Sequence, residues 1–163
     1  MPKITLKFLK SKIDYTHEFP VLKFDGELRS PIIIKKYEEE KEIIKNKRLS
    51  VKDYILVKKF GFNSCYYQIL IDGKFEQKMK AGEPENKIIS KFKLLKNDYP
   101  YHGFNHNILW INSNDLETIR NALEITKLDY AGIDYIYFQN EPKNQSVDSI
   151  THFHFLSKKL CQN

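Results

Sequence analysis

The chain has 163 residues, a net charge of +6 at pH 7 and 41% hydrophobic residues, which fits one domain with its own core. It contains no apolar run of transmembrane length and no signal-peptide pattern, so we expect an intracellular protein that does not bind a membrane. Its two cysteines, Cys65 and Cys161, lie far apart and are predicted to be free thiols. The positive charge permits an anionic ligand or nucleic acid, but no RNA-binding motif accompanies it.

The first 62 residues are predicted to be mainly helical. Alternating apolar residues at positions 4–8 favour a short strand or an extended arm at the start of the chain. Charged residues at helical spacing predict a helix over residues 31–46. Ser50 is predicted to cap a second helix that ends at Gly61. Both helices are expected to pack against the domain without a chemical role.

Residues 63–163 are predicted to form the sheet part of the domain. Aromatic and branched residues at 64–72 predict a buried strand that ends in a tight turn at Asp72-Gly73. The charged segment 74–84 is expected to be a loop or a short exposed hairpin. Further strands are predicted at residues 88–95, 106–111, 130–138 and 151–156, with a helix at 115–127. The whole chain, residues 1–163, is therefore predicted to be a single α+β domain with a mostly antiparallel sheet and packed helices.

The most distinctive pattern lies in the last strand, where His152, Phe153, His154 and Phe155 alternate. Side chains two residues apart on a strand share a face, so both imidazoles point one way and both phenyl rings the other. Two imidazoles on one face, opposite an apolar face, favour a pocket over a core. We expect ligand binding or catalysis there, together with His106 at the start of an earlier strand.

The order of polar residues between positions 88 and 156 resembles the histidine-triad (HIT) superfamily of nucleotide hydrolases and transferases. Members carry an Asn or Asp after a strand, a Tyr-Pro run into a strand with a histidine, a helix, and a segment that ends in alternating histidines. The corresponding residues here are Asn97, Tyr99, Pro100, His106, Asn140, Gln145, Ser146, Val147, His152 and His154. The resemblance implies a HIT-like fold that binds a nucleotide or sugar nucleotide.

The same resemblance implies a role for each of these polar residues. His154 maps to the nucleophile of a nucleotidyl or phosphoryl hydrolase or transferase, His152 assists it, and His106 orients it. Asn97 is expected near the base and ribose. The α-phosphate is expected to contact Asn140, Gln145, Ser146 and the histidines. HIT-like proteins are often dimers, so the resemblance also implies a homodimer.

The chain departs from the HIT pattern at two points. Leu156 stands where the third histidine of the triad is expected, and a leucine side chain can neither donate nor accept a hydrogen bond. Three extra residues separate Val147 from His152. These departures weaken the expectation of catalysis more than the expectation of binding.

Short motifs across most of the chain resemble a family typified by fungal N-acetylglucosamine-induced proteins. Members carry an L-x-R-[ST]-P motif before a charged helix, a motif around V-x-D-Y, a P-Y run that leads to histidine and tryptophan, and a final H-x-H segment. The matching residues are 28–31, 50–55, 100–110 and 140–154. The family name reports induction by a sugar, so this resemblance implies no settled activity.

The residues leave two other functions open. His106, His152 and His154 could supply three ligands to a zinc ion with an open fourth position; otherwise no cofactor is predicted. Alternatively, the chain is a non-catalytic interaction protein on a HIT-like scaffold, whose histidines are satisfied by backbone carbonyls. His17 and His102 have no evident partner and are expected at the surface.

Overall fold

The structure is a computed structural model that describes residues 3–48, 50–84, 90–145 and 150–159. Within these ranges, the chain folds as one α+β domain of four α-helices, a short 3-10 helix and eight strands. The helices are α1 (Leu6–Ser11), α2 (Pro31–Lys47), α3 (Val51–Phe60) and α4 (Leu116–Leu128), and the 3-10 helix spans Pro142–Asn144. The strands are β1 (Ile13–Asp14), β2 (Val21–Leu22), β3 (Phe62–Ile71), β4 (Lys74–Pro84), β5 (Phe92–Lys96), β6 (Phe104–Ile111), β7 (Tyr135–Asn140) and β8 (Thr151–Lys158).

Six strands form the main sheet in the order β1-β2-β7-β8-β6-β5. Every pair in this sheet is antiparallel except β2 with β7. Strands β3 and β4 form a separate hairpin. The predicted α+β class with a mostly antiparallel sheet is therefore confirmed. Because β8 lies between β6 and β7, the residues that it carries occupy the middle of the sheet.

Alternate side chains of β8 point to opposite faces of the sheet, and helices cover both faces. Phe153 and Phe155 are fully buried in a cluster with α4 on one face of the sheet. Leu156 packs with Leu6 and Leu9 of α1 on the other face, where α3 also packs against β6. The two histidines of β8 share this second face with Leu156, as their spacing predicts.

The ends of the two predicted N-terminal helices follow from local chemistry. The Ser30 hydroxyl accepts a hydrogen bond from the backbone N–H of Ile33 at the start of α2, and Pro31 occupies the first turn. The Ser50 hydroxyl accepts one from Asp53 N–H at the start of α3. Gly61 ends α3 in the left-handed conformation, with φ of 75°. Both helix predictions are confirmed.

Five predictions about elements are wrong or incomplete. The start of the chain forms the helix α1 instead of a strand, because Leu6 and Leu9 are buried at helical spacing. The segment 74–84 is a full strand, because the turn before it brings it into register with β3. Strand β3 exists, but most of its side chains are exposed. Strands also begin at Phe92 and Tyr135, later than predicted, and residues 85–89 lie outside the described part.

The division of the domain into a helical part and a sheet part is not strict. Strands β1 and β2 precede residue 62 and add to the main sheet, while α4 follows it. Cys65 is a free, half-buried thiol, and Cys161 lies outside the described residues. No helix in the described ranges is both long and apolar enough to cross a bilayer.

Candidate functional site

The main sheet brings the three predicted histidines together on one face. His106 Nε2 lies 2.8 Å from His154 Nδ1, and the ring centroids of His152 and His154 are 5.5 Å apart. His106, His152 and His154 are only 2%, 7% and 4% exposed, so each ring nitrogen needs a partner or an opening to the cleft. The row of imidazoles runs from β6 to β8 because these strands are antiparallel neighbours.

Hydrogen bonds fix which nitrogens of His106 and His154 carry protons. The backbone N–H of Tyr101 donates to His106 Nδ1 at 3.1 Å, so neutral His106 carries its proton on Nε2. That Nε2–H donates to His154 Nδ1, which leaves the proton of neutral His154 on its own Nε2. The Asn140 Nδ2 atom lies 3.3 Å from this nitrogen; because two N–H groups cannot bond each other, the amide must turn to present its oxygen, which accepts from His154 Nε2–H. His154 therefore presents an N–H group toward Asn140 and the cleft.

His152 has the opposite arrangement of its ring proton. Its Nδ1 lies 2.9 Å from the carbonyl oxygen of Ile150, and a carbonyl can only accept, so Nδ1 carries the proton. The Nε2 atom of neutral His152 is then left with a lone pair. The site thus contains one imidazole that donates from Nε2 and a neighbour that accepts at Nε2.

Burial keeps all three imidazoles neutral at pH 7. Burial, reinforced by the nearby Arg29 charge, lowers the pKa of His106 from 6.5 to about 3. Burial also lowers the pKa of His154 well below its usual value, and His106, His152 and Arg29 reinforce the effect. Burial lowers the pKa of His152, although its hydrogen bond to Ile150 opposes the shift. Positive charge in the cleft must therefore come from lysine and arginine.

His152 and His154 form the floor of a cleft with two compartments. The first is mainly apolar, has a volume of about 110 Å³, and lies between the sheet and helices α2 and α3. Its aromatic lining consists of Tyr37, Tyr54, Tyr99 and Trp110. Trp110 is buried with its ring centroid 5.1 Å from that of His152, so it belongs to both the core and this wall.

The second compartment is polar and larger, at about 410 Å³. Its polar lining includes Tyr101, Asn140, Lys143, Asn144 and Gln145. Lys143 is already paired with Asp25 and Glu141. The amide nitrogen of Gln145 donates to the backbone carbonyl of Asn140 at 2.9 Å, which ties the loop after β7 to the site.

Two cations stand between the compartments and line both of them. The Arg29 guanidinium lies 5.0 Å from the Tyr37 ring centroid and 5.5 Å from that of Tyr101, and its Nε donates to the Tyr99 carbonyl at 3.2 Å. Lys41 lies 5.8 Å from the same Tyr37 ring. Among the described residues, neither cation forms an ion pair. Both therefore remain available to an anionic ligand.

A known protein family matches most of the chain. Residues 23–158 match the family described as "Protein of unknown function (DUF3605)". The chain belongs to the DUF3605 family. No curated protein matches it significantly. A solved structure, the "Crystal Structure of HTC1", is similar, with a TM-score of 0.45 and 20% identity, covering 81% of this chain and 76% of that chain.

The match to DUF3605 bears on only one part of the two predicted resemblances. DUF3605 is a family of unknown function, which agrees with the prediction of a family without settled activity. The finer likenesses, to N-acetylglucosamine-induced proteins and to the HIT superfamily, stay predictions.

The cleft of this DUF3605 domain contains most of the residues predicted to bind a ligand. Asn140 and Gln145 line the polar compartment, and Asn97 lines the aromatic one. The Asn97 amide is already engaged, because its oxygen accepts from Tyr99 N–H at 2.9 Å and its nitrogen contacts the His106 ring, 3.3 Å from Nδ1 and 3.2 Å from Nε2. Asn97 therefore supports His106 more directly than it faces a ligand. Ser146 lies outside the described residues.

Sequence reasoning did not assign Arg29, Tyr37 and Lys41 to the site. Arg29 is part of the L-x-R-[ST]-P motif, which was the available signal. Tyr37 and Lys41 lie on α2, which the sequence predicts as a packing helix. Their place beside His152 and His154 depends on how α2 packs over the sheet, and local sequence patterns do not encode that packing.

The zinc alternative has little geometric support in this DUF3605 domain. His106 Nε2 and His154 Nδ1 share a hydrogen bond, so these two nitrogens face each other and do not point at a common ion. Within the described ranges, no group of three or more His, Cys, Asp or Glu side chains is arranged to hold a metal. The zinc site stays a prediction. His17 and His102 are exposed, as expected, but His17 does have a partner, because its Nε2 lies 3.2 Å from Asp14 Oδ2.

The buried histidines make the stability of the fold sensitive to mild acid. The pKa of His106 falls from 6.5 in the unfolded chain to about 3 in the fold, so the unfolded state binds more protons between these values. The free energy of unfolding should therefore fall as pH drops below 6.5. We expect a loss of at least about 1 kcal/mol between pH 6.0 and 5.0, from chemical denaturation at each pH.

The variant for this pH experiment is His106→Gln, compared with the wild type. His106→Gln removes a buried titrating group, so we expect its pH slope to be shallower by about 1 kcal/mol per pH unit. Equal slopes in the two proteins would mean that His106 is not kept neutral by the fold.

Proposed function

We propose that this DUF3605 domain is a HIT-like intracellular protein that binds a nucleotide or a sugar nucleotide in the cleft above the histidine row. The observation that carries the proposal is the junction of an aromatic compartment and a polar compartment over His152 and His154, with Arg29 and Lys41 lining both. A nucleotide has the same division into a planar base and an anionic phosphate.

The aromatic compartment is suited to one planar ring. Its volume of about 110 Å³ is close to that of a cavity of about 150 Å³ that accommodates benzene. Tyr37 and Tyr99 already pack edge to face, with centroids 5.2 Å apart, and a base could extend this aromatic packing. We therefore assign the base of the ligand to the space between α2 and the sheet.

The phosphate of the ligand is assigned to the junction between the compartments. Arg29 and Lys41 supply positive charge there. His154 supplies a neutral N–H donor, and the Asn140 amide lies beside it. Charge-assisted hydrogen bonds from Arg to a phosphate are among the stronger polar interactions, so this set favours an anion over a neutral sugar.

A thermal-shift panel tests the proposal directly. The panel contains nucleoside mono- and diphosphates, UDP-N-acetylglucosamine, the free nucleosides, N-acetylglucosamine phosphate and inorganic phosphate. We expect at least one nucleotide to stabilise the protein by about 2.7 kcal/mol at a hundredfold excess over its dissociation constant. Free nucleoside and inorganic phosphate should each give a smaller shift, because each fills one compartment only.

Two histidine variants complete the panel experiment. His154→Ala removes the Nε2–H donor at the junction and should abolish the nucleotide shift, while His17→Ala changes an exposed histidine and should leave the shift intact. A panel without any shift in the wild-type protein would refute the nucleotide proposal. A shift that survives in His154→Ala would place the ligand elsewhere.

A second candidate function is nucleotidyl or phosphoryl transfer through a histidine. The resemblance assigns the nucleophile to His154, but a nucleophilic nitrogen needs a free lone pair, and the proton of neutral His154 is directed to Nε2. His152 has its lone pair on Nε2 and its proton held by Ile150. We therefore favour His152 as the nucleophile if the domain is catalytic. In that case His152 Nε2 forms a bond to the α-phosphorus of a nucleoside diphosphate as the bond from that phosphorus to the bridging oxygen breaks, and inorganic phosphate leaves. Intact mass should then show a nucleoside monophosphate adduct that is absent in His152→Ala.

A further inference from the structure

The aromatic compartment has a carboxylate on its wall that no cation neutralises. Glu40 is half-buried on α2, on the helix face that it shares with Tyr37 and Lys41, and all three side chains line the compartment. Among the described residues, Glu40 forms no ion pair, whereas Asp98 on the same wall is paired with the Lys59 ammonium at 2.8 Å. A half-buried carboxylate without a cation has lost part of its hydration, so its place there favours a ligand that donates hydrogen bonds to it.

Hydrogen bonds from α3 hold this carboxylate in place. The Tyr54 hydroxyl donates to Glu40 Oε1 at 3.1 Å, and the Lys58 ammonium donates to the same Tyr54 oxygen. Because an ammonium group can only donate, the tyrosine proton is directed to the glutamate. No donor contacts Glu40 Oε2 within the part of the chain that the structure describes. Glu40 therefore presents an ordered, acceptor-only group to the compartment.

Glu40 lies on the base side of the junction where the phosphate is assigned. Arg29 and Lys41 line both compartments, but Glu40 and Asp98 line only the aromatic one. Burial raises the pKa of Tyr99, and the charges of Glu40 and Asp98 add to the shift, in keeping with a position of both carboxylates near its hydroxyl. A nucleotide with its phosphate at the junction would therefore direct toward Glu40 the edge of its base that is opposite the ribose.

The bases differ in what this edge offers to a carboxylate. Guanine carries two adjacent donors there, N1–H and the N2 amino group. In adenine and cytosine a single amino group lies beside a ring nitrogen with a lone pair, and in uracil one N–H lies between two carbonyl oxygens. Because a carboxylate only accepts, it bonds both donors of guanine but meets at least one lone pair on every other base.

The shape of the cleft also suits a bicyclic base. The aromatic compartment accommodates one six-membered ring, and the five-membered ring of a purine can extend into the junction because the two compartments are continuous. The Lys59 ammonium donates one hydrogen bond to Asp98 and has further N–H groups, which suit the O6 acceptor beside N1 of guanine. The residues that line both compartments are Arg29, Tyr37, Lys41, His152 and His154.

We infer that the cleft selects guanine nucleotides, with the Glu40 carboxylate accepting from N1–H and the N2 amino group and thereby determining the specificity for the base. This inference rests on the proposed nucleotide function, because it uses the same compartments and the same phosphate position. A bidentate contact of this kind discriminates between bases on the order of tenfold to a hundredfold.

Titration calorimetry of the wild-type protein with GDP, IDP, ADP and UDP tests the inference. GDP should bind at least about tenfold more tightly than ADP and UDP. IDP differs from GDP only by the missing N2 amino group, so its affinity should lie between those of GDP and ADP. Equal affinities for the four nucleotides, or tighter binding of ADP or UDP, would overturn the guanine preference and leave the proposed nucleotide function intact. IDP bound as tightly as GDP would overturn the bidentate contact, and binding of none of the four would refute both proposals.

Two variants of α2 test the role of Glu40. Glu40→Gln keeps the size of the side chain but replaces one acceptor by an N–H group, so the ratio of GDP to ADP affinity should fall at least about tenfold. Glu39→Gln removes the same charge from an exposed position outside the cleft lining and should keep the wild-type ratio. The ratio is the decisive quantity, because loss of a negative charge strengthens the binding of every anionic nucleotide alike. A wild-type ratio in folded Glu40→Gln would mean that Glu40 only joins α2 to α3 through Tyr54, and the inference would be wrong; the comparison of GDP with IDP needs no variant.

Discussion

Replacing Leu156 with histidine is expected to destabilise this DUF3605 domain by about 3 kcal/mol or more, and not to complete a histidine triad. Leu156 is fully buried and packs with Leu6 and Leu9 of α1 and with Phe138 of β7. An imidazole in this apolar cluster would lose the burial of the leucine. It would also bring a second imidazole beside His106, its cross-strand neighbour, whose two ring nitrogens are already hydrogen-bonded to Tyr101 N–H and to His154.

The stability of the Leu156→His protein should be measured by urea unfolding at pH 7.5, where the new histidine is neutral. Leu156→Met is the matched control, because it preserves volume and polarity and should cost less than about 1.5 kcal/mol. A Leu156→His protein as stable as the wild type would mean that the imidazole reaches a polar partner. The third position of the HIT pattern would then belong to the site, and its assignment to the core would be wrong.

The features that sequence predicts well are those that local geometry determines. The shared face of His152 and His154 follows from the two-residue period of a strand, whatever packs against it. The Asp72-Gly73 turn follows from two residues that tolerate positive φ, and they adopt 50° and 76°. Ser50 and Gly61 bound α3 because a hydroxyl cap and an achiral residue suit the two ends of a helix.

The features that sequence predicts poorly depend on contacts between distant segments. Apolar residues near the start of the chain are spaced both two and three residues apart, which is compatible with a strand or with a helix. Contacts of α1 with the main sheet stabilise the helix. Strand β4 carries three lysines, which disfavour a strand, but the turn places it in register with β3.

The candidate site shows the same division between local and distant information. Its histidines are visible as a pattern on one strand. The contact from Arg29 to the Tyr99 carbonyl joins residues 70 positions apart, so no local pattern predicts it. The ring protons of His152 and His154 depend on single backbone groups of Ile150 and Tyr101, which only the folded chain positions.

Replacing Arg29 with alanine is expected to weaken nucleotide binding about 100-fold, which corresponds to about 2.7 kcal/mol. Arg29 lines both compartments, and the stack of its guanidinium with Tyr37 and Tyr101 holds it at the junction where the phosphate is assigned. Arg29→Ala loses both the positive charge and the paired N–H donors of the guanidinium group. Titration calorimetry with the nucleotide that gives the largest thermal shift measures the change.

Two companion variants separate the role of Arg29 from a general effect of charge. Arg120→Ala removes the same charge from an exposed position on α4, across the sheet from the cleft, and should bind like the wild type. Arg29→Lys keeps the charge but loses the fork, so its affinity should lie between those of Arg29→Ala and the wild type. Higher salt should weaken binding to the wild type more than to Arg29→Ala, because part of the wild-type affinity is an ion pair with the ligand. If Arg29→Ala binds with wild-type affinity and remains folded, the phosphate does not lie between the two compartments, and the division of the cleft into a base site and a phosphate site is wrong.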